Sequence, residues 1–371
     1  MSLNSDQQLH ADVMLTLVPG VGPRIRAQLL NEFGESVNVL RQNRESLASV
    51  AGVGAGIADG ILAADRARAF RLIERCREMG VRLVQRNDQE FPASLETLPD
   101  APGLLYVRGS LEPQDSLAVA IVGSRRCTAY GRRMAERLAA SLVRAGFTIV
   151  SGLARGIDAA AHHAALNAGG RTIAVLATGV EDIYPPEHAE LALEITDSGC
   201  LVSEFPLDQR TSPGLFPQRN RIISGLSLGV IVVEATRNSG ALYTARHAME
   251  QGRDVFAVPG QADSLSSAGC HDLIREGGVL VRNVDDVLDD LGPLATPTVS
   301  AERQKVHHPR ELTLNPQEKE ILDLIETTPV SVDVILRATQ LDESRVLSTL
   351  TVLEVRRFIR RLPGSMLIRN S

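Results

Sequence analysis

Between Val81 and Leu280 short apolar runs alternate with longer amphipathic segments. The continuous runs predict strands at 117–122, 147–151, 171–176, 200–203, 229–233 and 254–258, preceded by VRLV from Val81 and LLYVRG from Leu104. Helical spacing fills the gaps, as in Arg132 to Arg144, Asp158 to Asn167 and Ala241 to Gln251. Strands separated by helices of that length predict a Rossmann-like, doubly wound parallel sheet with right-handed crossovers.

The flanks carry different patterns. Residues 1–78 read as short helices around two similar turns, Pro19-Gly20-Val21-Gly22 and Ala51-Gly52-Val53-Gly54, each followed by a helix rich in alanine or leucine. Paired turns of this kind predict a helix-hairpin-helix or SAM-like domain, whose Gly-x-Gly amides can face a DNA phosphate or serve packing alone. The sheet domain spans 79–290. Prolines, threonines and lost periodicity mark 291–314 as a linker. Residues 315–371 then read as three helices and a basic hairpin turning at Pro363-Gly364, a winged-helix pattern. Its third helix carries little positive charge beyond Arg345, so a partner- or self-association role competes with duplex binding.

Small residues and arginine gather at the predicted junctions: Gly123-Ser124-Arg125, Ser151-Gly152-Leu153-Ala154-Arg155-Gly156, Arg219-Asn220-Arg221, and Ser239-Gly240. Loops at the carboxyl ends of parallel strands bind ligands in open α/β sheets, and glycine lets backbone amides approach closely. The implied ligand is an anion, phosphate above all, with the Ser124 and Ser151 hydroxyls as donors. Phe216, beside Arg219 and Arg221, is the best-placed stacking ring in a chain without tryptophan, with a core position as the alternative.

Charge sharpens this picture. The chain of 371 residues has a net charge of −6, yet 119–160 holds seven arginines against Glu136 and Asp158. Acids collect in 181–204 and 285–290. Such segregation can steer a polyanion to one face of an acidic protein. Among 39 lysines and arginines only Lys305 and Lys319 are lysine, which excludes a Walker A loop before residue 305. Cys76, Cys127, Cys200 and Cys270 are widely spaced and fit buried reduced thiols. No apolar run reaches about 18 residues, and the amino terminus has no signal-like pattern, so a cytoplasmic protein without a membrane span is expected.

Catalytic constellations are sparse. The loop after the first core strand is not GxGxxG, which argues against a dinucleotide, and no other cofactor or metal is expected. His162 and His163 are adjacent and so diverge on a helix; His271 follows Cys270, and His307-His308 fall in the linker. A nucleotide or sugar-phosphate hydrolase of the lysine-decarboxylase-like type would use a strand-end glutamate, here Glu234, but the PGGxGT-like loop is degraded to Ala235-Thr236-Arg237-Asn238-Ser239-Gly240. A strand-end glutamate is more often a structural acceptor for a neighbouring helix terminus than a catalyst, and Glu234 reads better in that role. A scaffold that has lost its ligand is the third possibility.

The ordered motifs IVGSRRCTAYG (from Ile121), VSGLARGIDAAAH (from Val150), LATGVEDIYPPEH (from Leu176), SEFP (from Ser203), FPQRNRIISGLS (from Phe216), VVEATRNSGALYTA (from Val232) and FAVPG (from Phe256) together resemble the DNA-processing protein A (DprA/Smf) family. Cys270-His271 and Tyr243 depart from the family pattern locally. The resemblance implies a non-enzymatic, homodimeric protein that binds single-stranded DNA and loads RecA recombinase during natural transformation. Single-strand-binding protein, and duplex DNA through the terminal domains, are further implied partners. It implies that Gly123, Ser124 and Arg125 clamp phosphate, that Ser151, Gly152, Arg155 and Gly156 shape the pocket, and that Phe216, Arg219, Asn220 and Arg221 extend the strand path; the Ser239-Gly240 junction is a further candidate DNA contact.

Overall fold

The computed structural model describes residues 3–291, 298–299, 305–306, 308–326 and 328–370, and the chain divides into compact units between Asp290 and Leu291. The first unit opens with α1 (Leu3–Thr16), α2 (Pro23–Phe33), α3 (Ser36–Val39), α4 (Arg44–Ala48), α5 (Ala55–Leu62) and α6 (Arg66–Glu78). Gly20 and Gly52 take φ of 87° and 83°, and two residues later Gly22 and Gly54 cap α2 and α5. The two turns brace each other. A Cβ on Gly20 would lie 3.1 Å from Ile57 of α5, and one on Gly52 would lie 3.3 Å from Gln28 of α2.

These helices do not stand apart from the sheet. Leu9, Val13, Leu72, Ile73 and Cys76 share one core with Val81, Leu104, Tyr106 and Leu201. Asp12, buried, accepts from Arg26 and Ser36, and its second oxygen accepts from Gln85 at 2.6 Å. A buried carboxylate with this many donors ties α1, α2 and the first strand together.

The chain continues through β1 (Val81–Gln85), α7 (Ala93–Glu96), β2 (Leu104–Gly109), β3 (Ala118–Gly123), α8 (Ala129–Arg144), β4 (Thr148–Ser151), α9 (Ile157–Asn167), β5 (Thr172–Val175), α10 (Ala189–Ser198) and β6 (Cys200–Ser203). It closes with α11 (Leu215–Gly225), β7 (Gly229–Val233), α12 (Ala241–Glu250), β8 (Asp254–Ala257), α13 (Ala268–Arg275), β9 (Val279–Leu280) and α14 (Val284–Asp290). The strand order is β1-β2-β6-β5-β4-β3-β7-β8-β9. From β6 to β9 all pairs are parallel, whereas β2 runs antiparallel to both β1 and β6. The parallel expectation for the strands from 117 to 258 holds, and the two strands that precede them add an antiparallel edge. Apolar runs carry no direction, and a strand near a sheet edge needs no crossover helix.

Alternate residues of each strand face opposite layers. Leu105, Ile173 and Val202 join the core under α11 and α12, while Tyr106, Ala174 and Leu201 face α1, α6 and α10. Burial on both faces explains why the strands read as unbroken apolar runs. Cys76, Cys200 and Cys270 are buried as expected, but Cys127 is only half-buried.

His162 of α9 is fully buried. Thr172 Oγ1 spends its proton on the Ile149 carbonyl at 2.8 Å, so His162 Nδ1, 2.7 Å away, donates to it and Nε2 stays bare. Burial, reinforced by His163, His188 and Arg219, pushes the ring down to about 3. The unfolded chain takes up that proton near pH 6.5, so this contribution is complete above about 6.5 and lost as pH falls toward 3. Acidification from pH 7 to 5 is expected to cost about 2 kcal/mol through this residue. His162→Asn keeps a donor without titrating, and urea titrations of the two proteins check the difference. Equal pH slopes would refute the assignment.

The second unit contains β10 (Thr298–Val299), β11 (Lys305–Val306), α15 (Pro316–Asp323), β12 (Val330–Ser331), α16 (Val332–Ala338), α17 (Glu343–Val355), β13 (Ile359–Leu362) and β14 (Met366–Arg369), with a small sheet ordered β12-β14-β13. Three helices and a hairpin turning at Gly364 (φ 82°) make a winged helix. Of the linker expected at 291–314, residues 292–297, 300–304 and 307, including His307, lie outside the described residues. Glu311, inside that stretch, is buried and accepts from Lys319 at 2.9 Å and from Arg369, so this fold begins before Asn315.

Candidate nucleic-acid interface

The chain winds from β3 outward to β6, then returns to place β7 on the other side of β3. Connections leave these two strands in opposite directions, so a crevice opens beyond their carboxyl ends. Gly123 ends β3 in register with Val233, and a Cβ there would fall 1.9 Å from the Val233 carbonyl oxygen. Only glycine lets the two backbones approach this closely. The next residue turns the chain: Ser124 Oγ accepts from the Arg126 amide at 3.1 Å. Arg125 is thereby directed outward, where its guanidinium lies 5.1 Å from the centroid of the Phe216 ring. Tyr184 meets the same ring edge-on at 5.9 Å. Phe216 is therefore a partly exposed member of an aromatic wall and not a core residue. No carboxylate among the described residues pairs with Arg125.

The loop after β4 supports this wall from behind. Ser151 is fully buried and donates to the Ile121 carbonyl at 2.6 Å, so it ties β4 to β3 and is no phosphate donor, contrary to expectation. Asp158 Oδ2 accepts from the Gly152 and Ala154 amides at 3.1 and 3.3 Å. Burial pushes the Asp158 carboxyl up, while Arg219 opposes that shift. Gly156 has φ 80°, and a Cβ on it would come within 2.3 Å of the Ser124 carbonyl. Arg155 is exposed, but it pairs with Glu187 and so does not offer an unpaired charge.

Residues 219–221 correct the sequence reading more deeply. They lie on α11, not at a strand end, and all three are buried. Arg219 donates to the Gly152 carbonyl at 2.7 Å and to that of Val175, bracing the ends of β4 and β5. Burial lowers its guanidinium to about 10, Asp158 pulling upward and Arg125 downward, which leaves it cationic at neutral pH. Asn220 donates to the Gly240 carbonyl at 3.2 Å, locking α11 to the start of α12. Arg221 pairs with Glu204 and, at 3.4 Å, with Asp100. The apolar helix face hid these roles because arginine at an interior helical position looks like surface charge in a sequence.

Together these elements line a groove of about 780 Å³. Of the expected site, Gly123, Ser124, Arg125, Phe216, Arg219, Asn220, Ser239 and Gly240 line it. Ser151, Gly152, Arg155, Gly156 and Arg221 stand behind or beside it. Arg126, Thr236 and Thr244 also line it, as does Tyr243, which the sequence marks only as a departure from the family pattern and not as a contact. Tyr243 and Tyr184 were the legible omissions, since each is an exposed ring in a chain with few aromatics.

Glu234, at φ 52° and almost wholly buried, accepts from the Thr128 amide at 2.7 Å and from the Thr128 hydroxyl. Both oxygens serve the start of α8. A carboxylate at a helix amino terminus compensates its unpaired amides and dipole.

The fold and groove define a doubly wound α/β protein with an arginine-lined cleft at its topological switch point. Residues 82–292 match the DNA recombination-mediator protein A family, and residues 305–365 match the DprA winged helix domain. The chain belongs to that family. Protein Smf from Synechocystis sp. is 34% identical over 379 residues, covering 94% of this chain and 95% of that protein. The X-ray structure of DNA processing protein A from Streptococcus pneumoniae superposes with a TM-score of 0.68 at 34% identity, over 76% of this chain and 98% of that one. A structure addressing single-stranded DNA binding by DNA processing protein A from Helicobacter pylori matches with a TM-score of 0.51 at 30% identity, over 57% and 98% of the two chains. Among the described residues no helix is long and apolar enough to cross a membrane.

Proposed function

We propose that this protein binds single-stranded DNA in the switch-point groove and acts, without catalysis of its own, as the mediator that passes the strand to RecA recombinase during natural transformation. The observation that carries the reading is Arg125, a cation without a carboxylate partner, stacked on Phe216 above the buried charge of Arg219. A phosphate would meet the guanidinium while a neighbouring base stacks on the aromatic wall. Single strands can present base and phosphate to one such wall, whereas a duplex keeps its bases stacked inside. Engagement of Glu234 with the head of α8 supports a binding role over hydrolysis. The winged helix exposes Leu347, Val352 and Val355 on α17, which favours contact with a protein over reading of a duplex.

Fluorescence anisotropy with single- and double-stranded oligonucleotides tests the reading. Tight binding of the single strand alone is expected, with Phe216→Ala weakening it about 10-fold, the value of one lost stack. Equal affinity for both forms, or nucleotide turnover abolished by Glu234→Gln, would overturn it.

A further inference from the structure

A second groove of about 740 Å³ begins where the first one ends, and Pro217 and Tyr243 line both. Its far wall is the Gly20 turn and the first turn of α2, which presents Arg24. Opposite, Arg246 of α12 is exposed, with its guanidinium 5.9 Å from the Tyr243 ring centroid. Neither Arg24 nor Arg246 has a carboxylate partner among the described residues. The groove is also lined by Arg221, only 3% exposed, whose Nη1 has no hydrogen-bond partner. Asp100 lines it too, at 3.4 Å from Arg221 Nε, so its charge is already met.

We infer that a single strand occupying the switch-point groove continues over Tyr243 into this second groove, with a base on the Tyr243 ring and the following phosphates against Arg24 and Arg246. The inference rests on the DNA-binding reading above. Three features select a polynucleotide as the occupant: continuity with the first groove, cations lacking counter-charges, and an exposed ring already flanked by an arginine. An acidic peptide would use the cations but leave the ring unexplained. The amino-terminal helices thereby join the strand path through the side chain of Arg24, whether or not their glycine turns meet a phosphate.

The test compares wild type, Arg125→Ala and the double variant Arg24→Ala/Arg246→Ala against oligothymidylates of about four and about twelve nucleotides. The double variant is expected to bind the short oligonucleotide as wild type does and the long one about 10-fold more weakly, with the salt slope for the long one reduced by about 1.4. Both residues are exposed and free of ion pairs, so an unchanged thermal transition should accompany the loss. Wild-type affinity of the double variant at both lengths overturns the inference while leaving the first groove standing, provided Arg125→Ala has lost binding. An equal loss at both lengths also overturns it, because the two arginines would then act on the first groove. If Arg125→Ala binds like wild type at both lengths, the underlying DNA reading falls and this inference falls with it.

Discussion

Replacing Arg125 with alanine lowers the affinity for single-stranded oligonucleotide about 10- to 100-fold and flattens the salt slope by about one, as anisotropy titrations across ionic strength will show. Charge-assisted hydrogen bonds contribute about 1.5–3 kcal/mol each, which sets that range. Nothing in the folded protein depends on the side chain for an ion pair, so the thermal transition is expected to stay within about 0.5 kcal/mol of wild type. Arg125→Lys separates the two parts of the contact. It restores the charge and thus the salt slope, but a lysine cannot lie flat on Phe216 with the same fork, so recovery of affinity is partial. Binding of Arg125→Ala with unaltered affinity and slope would remove the residue from the interface.

Gly123→Ala is expected to destabilise the protein by about 3 kcal/mol, the upper range for forcing atoms into a packed interior. The added Cβ would stand 1.9 Å from the Val233 carbonyl oxygen, between two central strands whose backbones cannot part without breaking their ladder. Gly240→Ala is the matched control. A Cβ on Gly240 meets nothing within 4 Å, and its φ of −58° suits any residue, so a change of no more than about 0.5 kcal/mol is expected. Urea unfolding of both variants measures the contrast. A loss below about 1 kcal/mol for Gly123→Ala would mean that the strands separate more easily than their register implies.

The doubly wound core was legible because strands buried on both faces leave uninterrupted apolar runs, which Val119 to Val122 and Val230 to Val233 illustrate. The direction of β2 was not legible, since pairing partners are distant in sequence and LLYVRG reads the same either way. Gly123, Ser124 and Arg125 could be placed at a strand end because the strand before them is unmistakable. Arg219 and Arg221 could not be placed, because their neighbours Phe216, Ile222 and Ile223 fit both a strand-end loop and a helix, and only tertiary contacts reveal what a buried guanidinium holds. Ser151 misled for a related reason. A hydroxyl at a strand end serves a ligand or a neighbouring strand equally well until the Ile121 carbonyl is seen beside it.

The brace formed by Arg219 has a consequence for the timing of recognition. One guanidinium fastens α11 to the ends of β4 and β5, and Phe216 projects from the same helix less than one turn earlier. The ring is therefore held in place before any strand arrives, so little ordering entropy is left for association to supply. In the proposed binding mode, encounter accelerated by the outward charge of Arg125 governs how quickly a strand is captured, and the depth of stacking governs how long it remains.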